Sequence, residues 1–261
     1  MDLGVHGKRA LVLGASRGLG LAIAQGLAAE GAAVTLCGRN RAALAAAVGQ
    51  LTEAGAEADW LLLDLADPAQ RRAALAERLA AGRGYDILIN NGGGPAPGPI
   101  GAVATAQWQA AFDSMVAALF EVTASLLPGM RERGWGRIIN LVSSGVVQPI
   151  PNLGISNTLR ASILGWAKTL AHEVAADGVT VNSVIPGRIA TARVGELDAA
   201  AAQRAGSSVE AIAEASRKTI PLGRYGEPAE FAAAVCFLAS ARAGYITGTS
   251  LRVDGGLIRS L

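Results

Sequence analysis

Residues 9–20 read RALVLGASRGLG: a short apolar run, then Gly14, Gly18 and Gly20 in the spacing G-x-x-x-G-x-G. The run has the length and composition of a buried strand. The following stretch, GLGLAIAQGLAAE (18–30), carries its apolar residues at helical spacing. A strand that passes through a glycine turn straight into a helix is the opening unit of an α/β sheet. Glycines there let the backbone turn sharply and approach a pyrophosphate, whose charge is favoured by the free N–H groups of the helix start.

The rest of the chain repeats this alternation. Strand-like runs fall at 33–38 (AVTLCG), 59–64 (DWLLLD), 86–90 (DILIN), 136–142 (GRIINLV), 179–185 (VTVNSVI) and 248–253 (GTSLRV). Helical patterns lie near 41–54, 68–81, 105–133, 153–176 and 227–240. Strands apolar on both faces and separated by helices predict a parallel sheet covered on both sides. No linker or charge block divides residues 1–261, so a single domain is expected. An additional helical pattern fills 196–218, and the span 193–217 is read as an insertion covering a cleft at the strands' C-terminal ends.

Composition narrows the function classes. Of 261 residues, 51% are apolar and 17% charged, which excludes a disordered chain. A net charge of +2 gives no basic stripe for nucleic acid and no polybasic membrane anchor. Apolar runs such as FAAAVCFLA (231–239) are too short to span a bilayer, and the first residues lack the layout of a signal peptide. Cys37 and Cys236 read as small buried hydrophobes, and no ligand cluster suggests a metal. A cytoplasmic protein is expected.

The cofactor pattern extends beyond the glycines. Ser16, Arg17 and Leu19 complete the loop GASRGLG (14–20). Asp64 and Leu65 end the third strand, where a carboxylate can accept from an adenine amino group. Asn90 and Gly92 lie at the end of the fourth. An acidic residue at the end of the second strand usually holds the ribose 2′-OH of NAD; this chain has Arg39 there. With Arg17, it offers two guanidinium groups suited to a 2′-phosphate, favouring NADP(H) over NAD(H).

Together, GASRGLG, DLAD (64–67), NNGG (90–93), GRIINLVSS (136–144), GVTVNSVIPGRIAT (178–191), PLGRYGEPAEFA (221–232) and YITGTSLRVDGG (245–256) give a sequence that resembles the short-chain dehydrogenase/reductase family, most closely members similar to 3-oxoacyl-carrier-protein reductases. The resemblance covers nearly the whole chain. It implies a doubly wound α/β fold with seven parallel strands, and hydride transfer between nicotinamide and a carbonyl or alcohol. It places Pro186, Gly187 and Ile189 against the nicotinamide and Thr191 near its amide or phosphates. It also implies self-association, as a homotetramer or homodimer, and a small-molecule substrate.

The family's catalytic set is Asn, Ser, Tyr and Lys. Carried over by position, its Ser is Ser143. The Tyr falls on Ser156, the Lys on Arg160 and the Asn on Met115. A serine hydroxyl is a far weaker acid than a phenol. Arg160 can donate to the nicotinamide ribose, yet it stays charged and shuttles no proton. A thioether replaces poorly the amide that holds a relay water. Ser143, Ser156 and Arg160 are thus the catalytic candidates, and three readings stand open: an oxidoreductase with altered proton delivery, a dinucleotide-binding module with little turnover, and non-redox chemistry in the same cleft. Trp108, Val146, Pro149 and the 193–217 insertion are candidates for shaping the substrate pocket.

Overall fold

The computed structural model describes residues 2–260. Seven strands, β1 (Arg9–Val12), β2 (Ala33–Gly38), β3 (Ala58–Leu62), β4 (Ile87–Asn90), β5 (Gly136–Leu141), β6 (Val179–Pro186) and β7 (Ser250–Val253), form one parallel sheet in the order β3-β2-β1-β4-β5-β6-β7. The chain starts at the centre, winds outward to β3, then returns past β1 to wind the other way. This doubly wound order leaves a crevice between β1 and β4, at the strands' C-terminal ends.

Alternation along the strands builds the two cores. In β1, Ala10 and Val12 point to one face, where they meet Ile23 and Leu27 of α1 (Gly18–Ala29), Leu44 of α2 (Arg41–Glu53) and Phe231 and Val235 of α9 (Pro228–Leu238). Leu11 and the following Leu13 point to the other face. There they join Leu75 of α3 (Pro68–Ala80), Leu119 and Val122 of α5 (Ala118–Glu132), and Ile163 and Ala167 of α6 (Gly154–Val174). Each Val, Leu, Ile or Phe among them, fully buried, contributes about 1.5–3 kcal/mol.

Local chemistry fixes the helix starts. Asn40 Oδ1 accepts from the Ala43 N–H at 3.0 Å and opens α2. Asp67 Oδ1 accepts from Ala69 and Gln70 at 3.1 and 3.0 Å, with Pro68 as the first residue of α3.

The predicted 105–133 helix is one apolar element of two parts, α4 (Thr105–Phe112) and α5, joined by a π-helical turn at Asp113–Ala117. Thr105–Glu132 has the length and apolarity to cross a membrane, which the run-length reading of the sequence did not register. Here Met115, Val116, Leu119, Val122, Leu126 and Met130 pack it against the sheet, and Phe120 stacks on Trp166 of α6 at 4.2 Å. The 196–218 pattern is two helices, α7 (Ala192–Ala205) and α8 (Val209–Lys218).

Candidate active site

The glycine loop forms as its sequence implies. Gly14 and Gly18 have φ of +59° and +61°, a region that side chains with a Cβ rarely enter. A Cβ on Gly20 would lie 2.4 Å from the Gly14 carbonyl, so α1 packs onto its own entry loop only because the residue is glycine. Arg17 precedes α1 without a side-chain capping bond, and the helix has no acidic residue in its first turn. The free N–H groups at this helix start fit an anionic pyrophosphate.

The neighbouring strand ends close around this loop. Asn91 donates through Nδ2 to the carbonyls of Leu13 at 3.1 Å and Gly14 at 3.3 Å, tying the end of β4 to the loop. The Thr191 methyl faces Gly18 from the opposite wall. Leu65 sits beside Gly92, and its carbonyl accepts from Arg71 Nη1 at 2.6 Å. Asp64 spends Oδ1 on the Ala66 N–H at 2.9 Å. Ser16 lies near Gly38 at the end of β2, and Arg39, the next residue, is exposed. The Arg17 side chain, 75% exposed, reaches Glu196 of α7 at 3.8 Å. Leu19 packs against the core under the loop.

Asn90 turns its amide away from the crevice. Its side chain is fully buried and donates to Asn140 Oδ1 at 2.9 Å and Thr123 Oγ1 at 3.1 Å. That amide cross-links β4, β5 and α5 instead of facing the crevice, because the last strand residue points into the helix layer. The adjacent Asn91 is the one turned toward the loop.

The catalytic candidates gather on two adjoining elements. Ser143 follows β5, and its Oγ accepts from the Gly145 N–H at 3.1 Å, starting the 3₁₀ turn Ser144–Val146. The first turns of α6, carrying Ser156 and Arg160, pack against that turn and against the π-helical turn that holds Met115. Ser156 is buried, and its hydroxyl makes no hydrogen bond among the described residues. Arg160 donates through Nη1 to the Leu141 carbonyl at 3.0 Å, and through Nη2 to Gly92 at 3.0 Å and Gly93 at 3.1 Å. No carboxylate faces it among the described residues. Burial, reinforced by the nearby Arg193 charge, pulls its pKa down to about 10.

On the far wall, Pro186 ends β6, and a Cβ on Gly187 would lie 2.6 Å from the Asp254 Cα. Ile189 is buried and bridges Gly226. Thr191 precedes α7, with Oγ1 donating to the Ile189 carbonyl at 3.3 Å. Asp198 on α7, 3% exposed, accepts from Arg188 Nη1 at 2.6 Å and from the Tyr225 hydroxyl at 2.8 Å. Arg193 reaches from α7 to the Pro95 carbonyl at 3.0 Å.

Residues 14–258 match the family model described as enoyl-(acyl carrier protein) reductase. This chain belongs to the short-chain dehydrogenase/reductase family. It is 38% identical to nodulation protein G of Azospirillum brasilense over 96% of this chain and 98% of that one. It is 37% identical to the 3-oxoacyl-[acyl-carrier-protein] reductase of Escherichia coli, over 97% and 98%. Among solved structures, L-sorbose reductase from Gluconobacter frateurii, complexed with NADPH and L-sorbose, superposes with a TM-score of 0.94 at 35% identity, each chain covered in full. The family resemblance read from the motifs and the seven-stranded parallel sheet are both borne out, and the protein is an oxidoreductase of this family.

Against that family pattern, three features escaped the sequence. The π-helical turn around Met115 has no local marker in FDSMVAALF. The triple carbonyl engagement of Arg160 and the Asp198 junction join residues far apart in the chain. The pocket expectation divides: Val146 and Pro149 line a cavity of about 480 Å³ with Ile100, Ile150 and Asn157, while Trp108 and the 193–217 insertion do not. Gly154, Asn157, Thr158 and Ala161, which also line it, share one face of α6, and Ser156 and Arg160 point away from that face.

Proposed function

We propose that the protein is an NADP(H)-dependent reductase of a small carbonyl substrate, in which Ser143 polarises the carbonyl and proton delivery differs from the family's Tyr–Lys pair. The observation that carries this reading is the glycine loop: two left-handed glycines, a third packed on the loop carbonyl, and an uncapped helix start opposite Thr191. The residues fit the group, and the bound nicotinamide would supply or accept the hydride. Arg17 and Arg39 support the 2′-phosphate form. The L-sorbose reductase held with NADPH and the 3-oxoacyl reductase among the relatives support both this cofactor and a ketone-bearing substrate.

On this chain's own residues, the division of labour is as follows. Ser143 donates its hydroxyl hydrogen to the substrate oxygen while its lone pair stays on the Gly145 N–H. Ser156, whose hydroxyl is unengaged, holds the water that replaces the phenol. Arg160 fixes the loop after β4 and contributes a fixed positive charge that stabilises developing negative charge on oxygen. Helices α7 and α8 cover the cleft. The chain works as one domain in the cytoplasm and self-associates as a homodimer or homotetramer.

A second reading, a dinucleotide-binding module with little turnover, is favoured by one observation. The Arg160 donors are directed at backbone carbonyls, and Met115 offers no amide to hold a relay water. The two separate in an assay of NADPH oxidation over a panel of ketones and aldehydes. Turnover that drops about 10²–10³-fold in Ser143→Ala supports the reductase. Absence of turnover with every carbonyl, alongside tight NADPH binding, leaves the binding module.

A further inference from the structure

Two guanidinium groups grip one four-residue segment. Arg160 of α6 bonds the carbonyls of Gly92 and Gly93; Arg193 of α7 bonds Pro95, and its Nη2 borders Gly94. The segment Gly92–Pro95 leaves the C-terminal end of β4, beside the end of β5 where Ser143 follows. On the proposed reading, in which Ser143 meets the substrate carbonyl, this segment lies on the substrate side of the strand ends.

The charges there do not balance. Among the described residues Arg193 has one acidic partner, Glu196, at a long 3.4 Å, and Glu196 is shared with Arg17 at 3.8 Å. Arg160 has three carbonyls and no carboxylate among the described residues. The remaining acid of the α7 wall, Asp198, is committed to Arg188 and Tyr225.

Helix stability does not account for Arg193 either. It is the second residue of α7, where the helix dipole disfavours a cation by about 0.3–1 kcal/mol, and the first turn has no acidic residue to offset it. With one N–H on Pro95 and one on Glu196, most of its donors are unengaged among the described residues. A pyrophosphate over Gly18 and the start of α1 is served by those free N–H groups. The Arg193 Nη2 lies over Gly94 and Pro95, on the loop after β4.

We infer that Arg193 is a substrate-binding residue that takes a carboxylate on the carbonyl substrate, so that the preferred substrates are keto acids rather than neutral ketones. A planar guanidinium with open donors pairs with a carboxylate in two parallel hydrogen bonds, and the charge of Arg160 beneath the loop adds to the attraction. The inference rests on the proposed reductase reading and deepens it.

The test uses the full chain with NADPH and keto acids of three to six carbons, each beside its own methyl ester. Arg193→Gln is expected to raise KM for the acids about ten- to a hundredfold more than for the esters. Arg193→Lys, which keeps the charge, is expected to recover part of the difference. An equal rise for acids and esters overturns the inference, as does a matching loss of NADPH affinity, which would assign the guanidinium to cofactor phosphate. Should no carbonyl turn over, the reductase reading fails by itself; calorimetry of the same acids and esters against NADP⁺-loaded protein then decides the inference. Acid binding weakened by Arg193→Gln supports it, and acids binding no better than esters overturns it.

Discussion

Arg160 and Gly92 lie 68 residues apart in sequence, yet the Arg160 Nη2 donates to the Gly92 carbonyl at 3.0 Å. On the reading that Arg160 holds the family's lysine position, the residue has exchanged a proton-relay role for that of a brace between β5 and the loop after β4. A cation hydrogen-bonded to three carbonyls is firmly placed, and its positive charge is fixed at the mouth of the crevice.

Replacing Arg160 with alanine leaves the carbonyls of Leu141, Gly92 and Gly93 without their donor. Unfolding in urea is expected to show a loss of about 1.5–3 kcal/mol. NADPH affinity is expected to fall in parallel as the loop loosens. Arg160→Lys should recover only part of both, since an ammonium lacks the planar fork. An unchanged urea midpoint in the alanine variant would contradict the brace.

Cofactor choice is expected to rest on Arg39. Fluorescence titration of Arg39→Ala should show NADPH binding weakened about tenfold or more, with NADH little affected, because only the former carries the 2′-phosphate. Arg17→Ala should have the smaller effect, its charge being partly shared with Glu196 at 3.8 Å. Equal losses for both dinucleotides would remove the argument for NADP(H).

The Asp198 carboxylate pins α7 by accepting from Arg188 and Tyr225. Asp198→Asn leaves Arg188 without its counter-charge in a partly buried place, with an expected cost of about 2–3 kcal/mol, below the full buried-pair value because Arg188 is partly exposed. Limited proteolysis should then cut within 192–218 earlier than in the parent chain. Cleavage elsewhere first would show that this junction does not hold α7.

Acid should loosen the contact between α3 and α5. Hydrogen bonds from Arg71, then Arg72, hold the Glu121 carboxyl below its ordinary range. A depressed folded-state pKa means that its contribution is complete above the unfolded value, about 4.5, and disappears as pH falls through the folded one. Thermal melts of Glu121→Gln should therefore lie below the parent near neutral pH and converge with it on acidification. Curves that stay parallel to low pH would exclude Glu121 from the acid limb.

Much of this architecture is legible in local pattern. The strand-like runs and helical periods all appear, with ends displaced by one to two residues in most cases; β2 at 33–38 coincides with its sequence run. The loop glycines Gly14 and Gly18 take up the left-handed angles that their motif calls for. Asn90 shows the limit. Its motif marked the strand end correctly, but whether its amide faced the crevice or the helix layer depended on Asn140 and Thr123, which no spacing within NNGG reveals.

The sequence by itself determined the fold, because burial of alternating strands and helix faces is a short-range periodic signal, and it determined the glycine loop, because glycine adopts those angles without the cost a Cβ brings. Tertiary structure alone decided what Arg160 does, how Asp198 holds α7 and which face of α6 lines the cavity beside Asn157. Each of those depends on hydrogen bonds or packing between elements distant in the chain, whose partners are set by how the sheet brings strand ends together rather than by any local pattern.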